Sequence, residues 1–93
     1  MDINTRVIRN NPVWDGTTTA STMTMSGSAQ AVTITGKYVI ISNQSGNNLN
    51  VEVAATGHGI LVEPNGSFEI AVAPDADIRL DGPSGAVKIV QFN

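Results

Sequence analysis

One histidine and a group of aspartates are the residues of this sequence that could do chemistry. His58 stands between Gly57 and Gly59, in a stretch whose composition is typical of a loop. A histidine works as an acid–base catalyst when a carboxylate orients it and a substrate pocket lies beside it. The sequence places neither feature near His58, so we interpret it as a solvated loop residue.

The aspartates Asp75, Asp77 and Asp81 offer the hard oxygen ligands that calcium prefers. They do not fit an EF-hand, because Arg79 occupies the position of the third ligand and Gly82 comes two places late. A zinc site lacks support as well, since the chain has one His and no Cys. We expect no metal site and interpret these aspartates as turn charges, with a loop calcium ion as the open alternative.

Nucleophilic catalysis and nucleotide chemistry also lack their residues. There is no thiol, no G-x-S-x-G turn around a serine, and no glycine-rich phosphate loop of the Walker or Rossmann type. We therefore predict that the protein is not an enzyme, that it has no catalytic residue and that it uses no cofactor.

The charge balance argues against nucleic acid as a partner. Five Lys and Arg stand against eight Asp and Glu, which gives a net charge of −3, and the five cations are spread along the chain. Nucleic-acid binding needs concentrated positive charge. No stretch approaches the roughly 20 apolar residues of a membrane span, and the first residues lack the apolar run of a signal peptide. We expect no membrane partner and synthesis in the cytoplasm.

The elements that must position any site are β-strands. Val, Ile and Thr are abundant, Gly and Asn recur every few residues, and no window shows the apolar spacing of a helix. From about residue 31 onward, short apolar runs alternate with turn clusters, as in a sandwich or small barrel. We predict an all-β fold, a small antiparallel β-sandwich with jelly-roll-like or Greek-key connections and an extended N-terminal arm.

Alternation indicates the buried faces of several strands. "NLNVEVA" puts Leu49, Val51 and Val53 on one face, and "ADIRLDG" does the same with Ile78 and Leu80. Such strands have one face against the core and one face in water.

The stretch "GILVEPNGSFEI" predicts a β-hairpin. A type I turn followed by a G1 bulge at Gly66 sets Val62 opposite Phe68 and Ile60 opposite Ile70. In that register every apolar side chain meets another one, whereas a slip of one residue would turn the set outward.

Two segments are apolar on both faces, residues 38–41 and residues 89–92. A strand of this kind is covered on both sides. We predict that Val39, Ile41, Val90 and Phe92 face a neighbouring subunit. The alternatives are a cover formed by the N-terminal segment and a bulge that switches the faces midway.

Residues 1–30 differ from the rest because they are polar and rich in Ser and Thr. We therefore divide the chain into an N-terminal arm or edge β-ribbon, residues 1–30, and a β-sandwich domain, residues 31–93. Arg9 and Trp14 are the expected interface anchors of the arm, since Arg and Trp dominate interface energetics. The alternative is that Trp14 closes one end of the domain's own core. Met23 and Met25 alternate with threonines, which is typical of a strand.

Three phrases, "ISNQSGNNLNV", "ILVEPNGSFEI" and the closing "VKIVQFN", lie in residues 37–93. This part of the chain resembles the small β-sandwich proteins that tailed bacteriophages place on their particles, in particular capsid decoration and minor capsid proteins. The resemblance implies a virion protein that is made in the host cytoplasm. It also implies a homotrimer or other symmetric oligomer that docks on capsid or tail subunits and stabilises the particle.

Two other functions stay open at this point. A carbohydrate- or receptor-binding module would stack sugar rings on aromatic side chains, of which Trp14 and Tyr38 are the candidates. An inhibitor of a host defence complex could use the acidic residues 75–81 to imitate nucleic acid, although three carboxylates are few for that purpose.

Overall fold

The computed structural model describes residues 13–54 and 59–93. These residues form eight β-strands in two antiparallel sheets. The strands are β1 (Thr18–Met25), β2 (Gln30–Ala31), β3 (Tyr38–Asn43), β4 (Leu49–Val53), β5 (Gly59–Val62), β6 (Ser67–Ala71), β7 (Ile78–Asp81) and β8 (Gly85–Phe92).

The order of the strands identifies the architecture. Sheet I has the order β1-β8-β3-β6, and sheet II has the order β2-β7-β4-β5. The chain changes sheet at every connection except the one between β4 and β5. Eight antiparallel strands exchanged between two sheets in this way form a jelly roll. The prediction of an all-β antiparallel sandwich with jelly-roll-like connections is therefore confirmed.

The core lies between the sheets and is built by alternation along each strand. In β3 and β8 every second residue is buried, and β7 shows the same period. The predicted inward faces of β4 and β7 are confirmed. The core side chains are Met25, Val32, Val39, Ile41, Leu49, Val51, Val62, Ile78, Leu80, Val87 and Ile89.

The burial of β3 corrects two of the predicted interface residues. Val39 and Ile41 are 0% exposed and pack in the core of their own chain, so they are not available to another subunit. Strand residues alternate between faces, so the outward side chains of the same strand are Tyr38 and Ile40. The register between β3 and β8 runs without a bulge, which excludes a switch of faces within this pair.

The predicted hairpin at residues 59–70 is wrong, because its two strands lie in different sheets. β5 pairs with β4, where Val62 is opposite Leu49, and β6 pairs with β3, where Ile70 is opposite Val39. The segment is an arch over the end of the sandwich. Val62 and Phe68 both reach the core, from opposite sheets, so the apolar alternation is satisfied without cross-strand pairing.

The turn inside the arch also differs from the prediction. The carbonyl of Glu63 accepts a hydrogen bond from the amide of Gly66 at 2.9 Å, and Asn65 has a φ of 67°. A positive φ at the third residue of a turn defines type II, which glycine or asparagine can adopt. Asn65, rather than Gly66, therefore takes the left-handed conformation.

The described part of residues 1–30 belongs largely to the sandwich. β1 is an edge strand of sheet I that pairs along its whole length with β8, and Met25 at its end is buried in the core. Met23 and Met25 face the core side, as the alternation with threonines predicts. Residues 1–12 lie outside the described ranges.

A buried glutamine replaces sheet pairing where β2 ends. The side-chain oxygen of Gln91 accepts hydrogen bonds from the amides of Thr35 and Gly36 at 2.8 and 3.1 Å. Its amide nitrogen donates to the carbonyl of Thr33 at 2.7 Å. The segment between β2 and β3 is thereby fixed to β8 through one side chain.

Candidate interaction surface

Among the residues that the structure describes, the aspartates singled out from the sequence do not form a metal-binding cluster. The Oδ1 of Asp77 lies 3.3 Å from the Nε of Arg79 in an exposed ion pair. Ion pairs of this kind contribute at most about 1 kcal/mol to stability. Within residues 13–54 and 59–93, no three His, Cys, Asp or Glu side chains lie close enough to share a metal ion. His58 lies outside these ranges. The same residues contain no helix long and apolar enough to cross a membrane.

The outer face of sheet I carries a cluster of apolar side chains, which we call the apolar outer patch. Tyr38 is directly opposite Phe92, and Ile40 is directly opposite Val90, so the four side chains form two adjacent rows. All four are half-buried. Trp14, which is 55% exposed, completes the patch from the segment before β1.

Phe92 is the centre of the aromatic part of this patch. Its ring lies 5.8 Å from that of Trp14 at a tilt of 58°, and 6.2 Å from that of Tyr38 at 89°. These are favourable tilted and edge-to-face arrangements, each worth about 0.5–1.5 kcal/mol beyond the burial of area. Trp14 therefore packs on the outside of the sandwich and does not close its core.

Hydrogen bonds hold Trp14 in this position. Its indole N–H donates to the carbonyl of Thr17 at 2.7 Å, and the Nζ of Lys37 donates to the carbonyl of Val13 at 2.8 Å. The Oδ1 of Asp15 accepts from both the amide and the hydroxyl of Thr17, at 2.8 and 2.6 Å. The segment is therefore folded back on itself and attached to the start of β3.

Electrostatics favour the charged form of the carboxylate in this segment. The hydroxyl of Thr17, followed by its backbone amide, lowers the pKa of Asp15, and the positive charge of Lys37 adds to the effect. A hydrogen bond that is donated to a carboxylate favours its ionised form.

Beside the patch lies a shallow pocket of about 230 Å³, lined by Trp14, Lys37, Tyr38, Ala71 and Phe92. Burial raises the pKa of Tyr38, and the charge of Glu69 with its hydrogen bond acts in the same direction. The apolar surface is bordered on this side by one cation and one anion.

The structure brings some predicted interface residues together and separates others. Trp14, Val90 and Phe92 lie in the apolar outer patch, whereas Val39 and Ile41 lie in the core. Arg9 is outside the described residues. Tyr38 and Ile40 take the place of Val39 and Ile41 on the outer face. The apolar run of β3 contained the information needed to find Tyr38 and Ile40. In a strand that is apolar on both faces, either of the two alternating sets of residues can be the outward one.

Comparison with known proteins adds information on the fold. No protein-family model matches this chain, and no curated protein matches it. Among solved structures, it is similar to a solution NMR structure of a de novo designed double-stranded β-helix. The identity is 15% over 83% of this chain and 99% of that chain, with a TM-score of 0.51. At this identity the similarity concerns the two-sheet fold alone.

Proposed function

We propose that this protein is a structural component of a tailed-bacteriophage virion, a capsid decoration or minor capsid protein. In this proposal it is made in the host cytoplasm and assembles as a symmetric oligomer. It docks on capsid or tail subunits and stabilises the particle through contact area, with no catalysis. The observation that carries the proposal is the apolar outer patch on sheet I.

The composition of the patch favours a protein as its partner. Protein interfaces are enriched in aromatic residues at their centre and have a polar rim. Phe92, Tyr38 and Trp14 form such a centre together with the aliphatic Ile40 and Val90. Trp and Tyr are also the residues that most often carry binding energy. The outer face of sheet II differs, because the polar Asn50, Glu52, Arg79 and Asp81 lie on it together with the exposed Leu61.

The interior of the sandwich also supports a structural role. The core between the sheets consists of Val, Ile, Leu and Met side chains, with Phe68 packed against it. Jelly rolls occur in viral capsid proteins as well as in lectins and cupins, so the fold permits the role without demanding it. The resemblance of residues 37–93 to phage decoration proteins favours the virion among these roles.

A carbohydrate- or receptor-binding module is the second candidate. It is favoured by the three aromatic rings around the pocket of about 230 Å³, with the amine of Lys37 at its border. Aromatic faces stack on sugar rings, and a charged group supplies hydrogen bonds to hydroxyls. The aliphatic row formed by Ile40 and Val90 serves no purpose in this function, and it is the reason for ranking the sugar-binding function second.

Binding to phage heads tests the proposal. The gene is deleted from the phage genome that carries it, and heads are purified from this deletion mutant. The purified protein is then added back to these heads. We expect co-sedimentation at a fixed ratio to the capsid subunits, and at least a tenfold weaker affinity for Val90→Asp. The matched control is Leu61→Asp, which alters a 61%-exposed side chain on sheet II and should bind as wild type.

Two results would contradict the proposal. One is the absence of binding to heads and tails, together with absence of the polypeptide from mass spectra of wild-type virions. The other is selective binding on a glycan array that Trp14→Ala abolishes and Val90→Asp preserves, which would establish the second candidate. Circular dichroism of each variant shows that the fold is intact.

A further inference from the structure

β1 is a long edge strand with an open side. It pairs with β8 through eight consecutive residues, and no strand within residues 13–54 and 59–93 pairs with its other side. An edge of this kind presents a row of backbone N–H and C=O groups that can accept a further strand.

Backbone geometry shows which residues present those groups. The carbonyl of Thr17 accepts a hydrogen bond from the amide of Asn93 at 3.0 Å, so Thr17 bonds toward β8. Along an antiparallel strand, the backbone groups of successive residues point alternately to one neighbour and to the opposite side. The backbone N–H and C=O groups of the even-numbered residues of β1 therefore point away from β8. The side-chain amide of Gln30 donates to the carbonyl of Thr24 at 2.8 Å, in agreement with this phase. The outward groups of Thr18, Ala20 and Thr22 remain at the edge.

The other sheet edges carry the usual protection against strand pairing, whereas β1 does not. β2 has two residues and β5 has four, while β6 has five and carries Glu69. Short strands and charged residues are the devices that keep edges from pairing. The sequence of β1, "TTASTMTM", has eight residues with no charge and no proline.

A groove continues outward from β1. It has a volume of about 540 Å³ and lies between the core-side face of β1 and residues 30–35. It exists because β2 ends after two residues, so sheet II does not cover Thr19, Ser21 and Met23. A strand added to β1 would direct every second side chain toward this groove.

We propose that β1 pairs antiparallel with β1 of a second copy of this chain, around a twofold axis. β1 carries no charged residue, so the pairing of two copies brings no like charges together. A residue of β1 whose backbone groups point outward must lie opposite such a residue of the second copy, so that the two form a hydrogen-bonded pair. The carbonyl of Thr24 already accepts a hydrogen bond from Gln30 and is not free for this pairing. Several registers leave Thr24 out, and the one that pairs all three remaining outward residues sets Ala20 opposite Ala20 of the second copy, and Thr18 opposite Thr22 of the second copy.

This register suits the side chains as well as the backbone. Ala20 is the smallest side chain in the strand and lies at the axis. Threonines directly opposite each other on one face form favourable pairs. Ala20 is also directly opposite Val90 in β8, so pairing joins the two apolar outer patches into one surface across the axis. The inference goes beyond the docking function, and its test needs no virion.

Disulfide trapping tests both the contact and its register, because the chain has no cysteine of its own. Residues in a hydrogen-bonded antiparallel pair have Cα atoms about 5.5 Å apart, within the range that a disulfide spans. Ala20→Cys should therefore oxidise to a covalent dimer in high yield. Thr22→Cys is the matched control, since its counterpart in the second copy is several residues away along the strand, and it should yield at least tenfold less.

A charge pair provides a second, reversible test. Ala20→Lys and Ala20→Glu place like charges at the axis, so each should be monomeric in sedimentation equilibrium under conditions where the wild type is dimeric. Their equimolar mixture should recover a dimer, because opposite charges then meet. A monomeric wild type at about 100 µM, equal trapping of the two cysteine variants, or no recovery in the mixture would overturn the proposal.

Discussion

The side-chain amide of Asn43 donates a hydrogen bond to the carbonyl of Val62 at 2.9 Å and so links β3 in sheet I to β5 in sheet II. The same nitrogen donates to the carbonyl of Asn47 at 2.7 Å. Its oxygen accepts from the amide and the hydroxyl of Ser45, at 3.1 and 2.7 Å. Asn43 is 0% exposed, and both of its polar atoms are satisfied. One buried residue therefore holds the arch and the loop after β3.

We expect Asn43→Ala to lower the free energy of unfolding by about 3 kcal/mol. The substitution leaves buried carbonyl and amide groups without partners, and each such group costs about 1–3 kcal/mol. Urea denaturation measures the change. Asn48→Ala, at an exposed position of the same loop, is the control and should change stability by less than about 0.5 kcal/mol. Equal losses in the two variants would contradict the role assigned to Asn43.

A second prediction concerns the close approach of β8 to the same loop. Gly85 has a φ of 91°, and a Cβ there would collide with the carbonyl oxygen of Ser45. Gly46 has a similar φ of 81°, with open space around it. Gly46→Ala should cost of order 1 kcal/mol, from the backbone conformation alone. Gly85→Ala should cost at least twice as much in thermal or urea unfolding, because the backbone must also move apart.

The type II turn of the arch predicts a different response at Asn65. Its φ of 67° is a conformation that glycine adopts without strain, so Asn65→Gly should keep stability within about 0.5 kcal/mol. Asn65→Ala should lose about 1 kcal/mol, because alanine lacks the tolerance of asparagine for this region. A type I turn with the positive φ at Gly66 would instead make Asn65→Ala nearly neutral in the same denaturation experiment.

The faces of the strands could be predicted from the sequence, whereas their partners could not. Ile78 and Leu80 alternate with charged residues, so burial leaves one orientation for β7. Val62 and Phe68 need burial too, but a hairpin and an arch both provide it. The choice between them depends on whether β6 pairs with β5 or with β3, and β3 lies far from β6 along the chain, whereas β5 pairs with β4 directly before it. A local turn pattern carries no information about such contacts.

The same limit explains the interaction surface. Apolar residues on both faces correctly marked β3 and β8 as strands with an outer apolar side, but they do not tell which alternate set points outward. Asn43 lies on the same face of β3 as Val39, and Gln91 lies on the same face of β8 as Ile89, and all four are buried. The polarity of Asn43 and Gln91 would therefore have predicted the wrong face as the outer one. The place of Trp14 beside Phe92 depends on a contact between the two ends of the described chain.

The last prediction concerns the pH dependence of the segment that positions Trp14. The hydroxyl of Thr17 lowers the pKa of Asp15 from its ordinary value of 3.8, so the folded segment favours the carboxylate. A carboxylate whose pKa is lowered by folding stabilises the folded state at a pH above its ordinary pKa. This stabilisation is lost as the pH falls through the lowered pKa. We therefore expect the segment to loosen below pH 3.8. Trp14 is the one tryptophan of the chain, so its fluorescence reports this change.

The measurement is a titration of tryptophan emission from pH 6 to pH 2, with far-ultraviolet circular dichroism to follow the sandwich itself. As Asp15 is protonated, the hydrogen bonds to Thr17 weaken and Trp14 leaves Phe92, so the emission should shift to longer wavelength. Asp15→Asn keeps an oxygen acceptor at this position but does not titrate, so it should abolish the transition. A transition that persists in Asp15→Asn would place the responsible carboxylate elsewhere, because no other change distinguishes the two proteins.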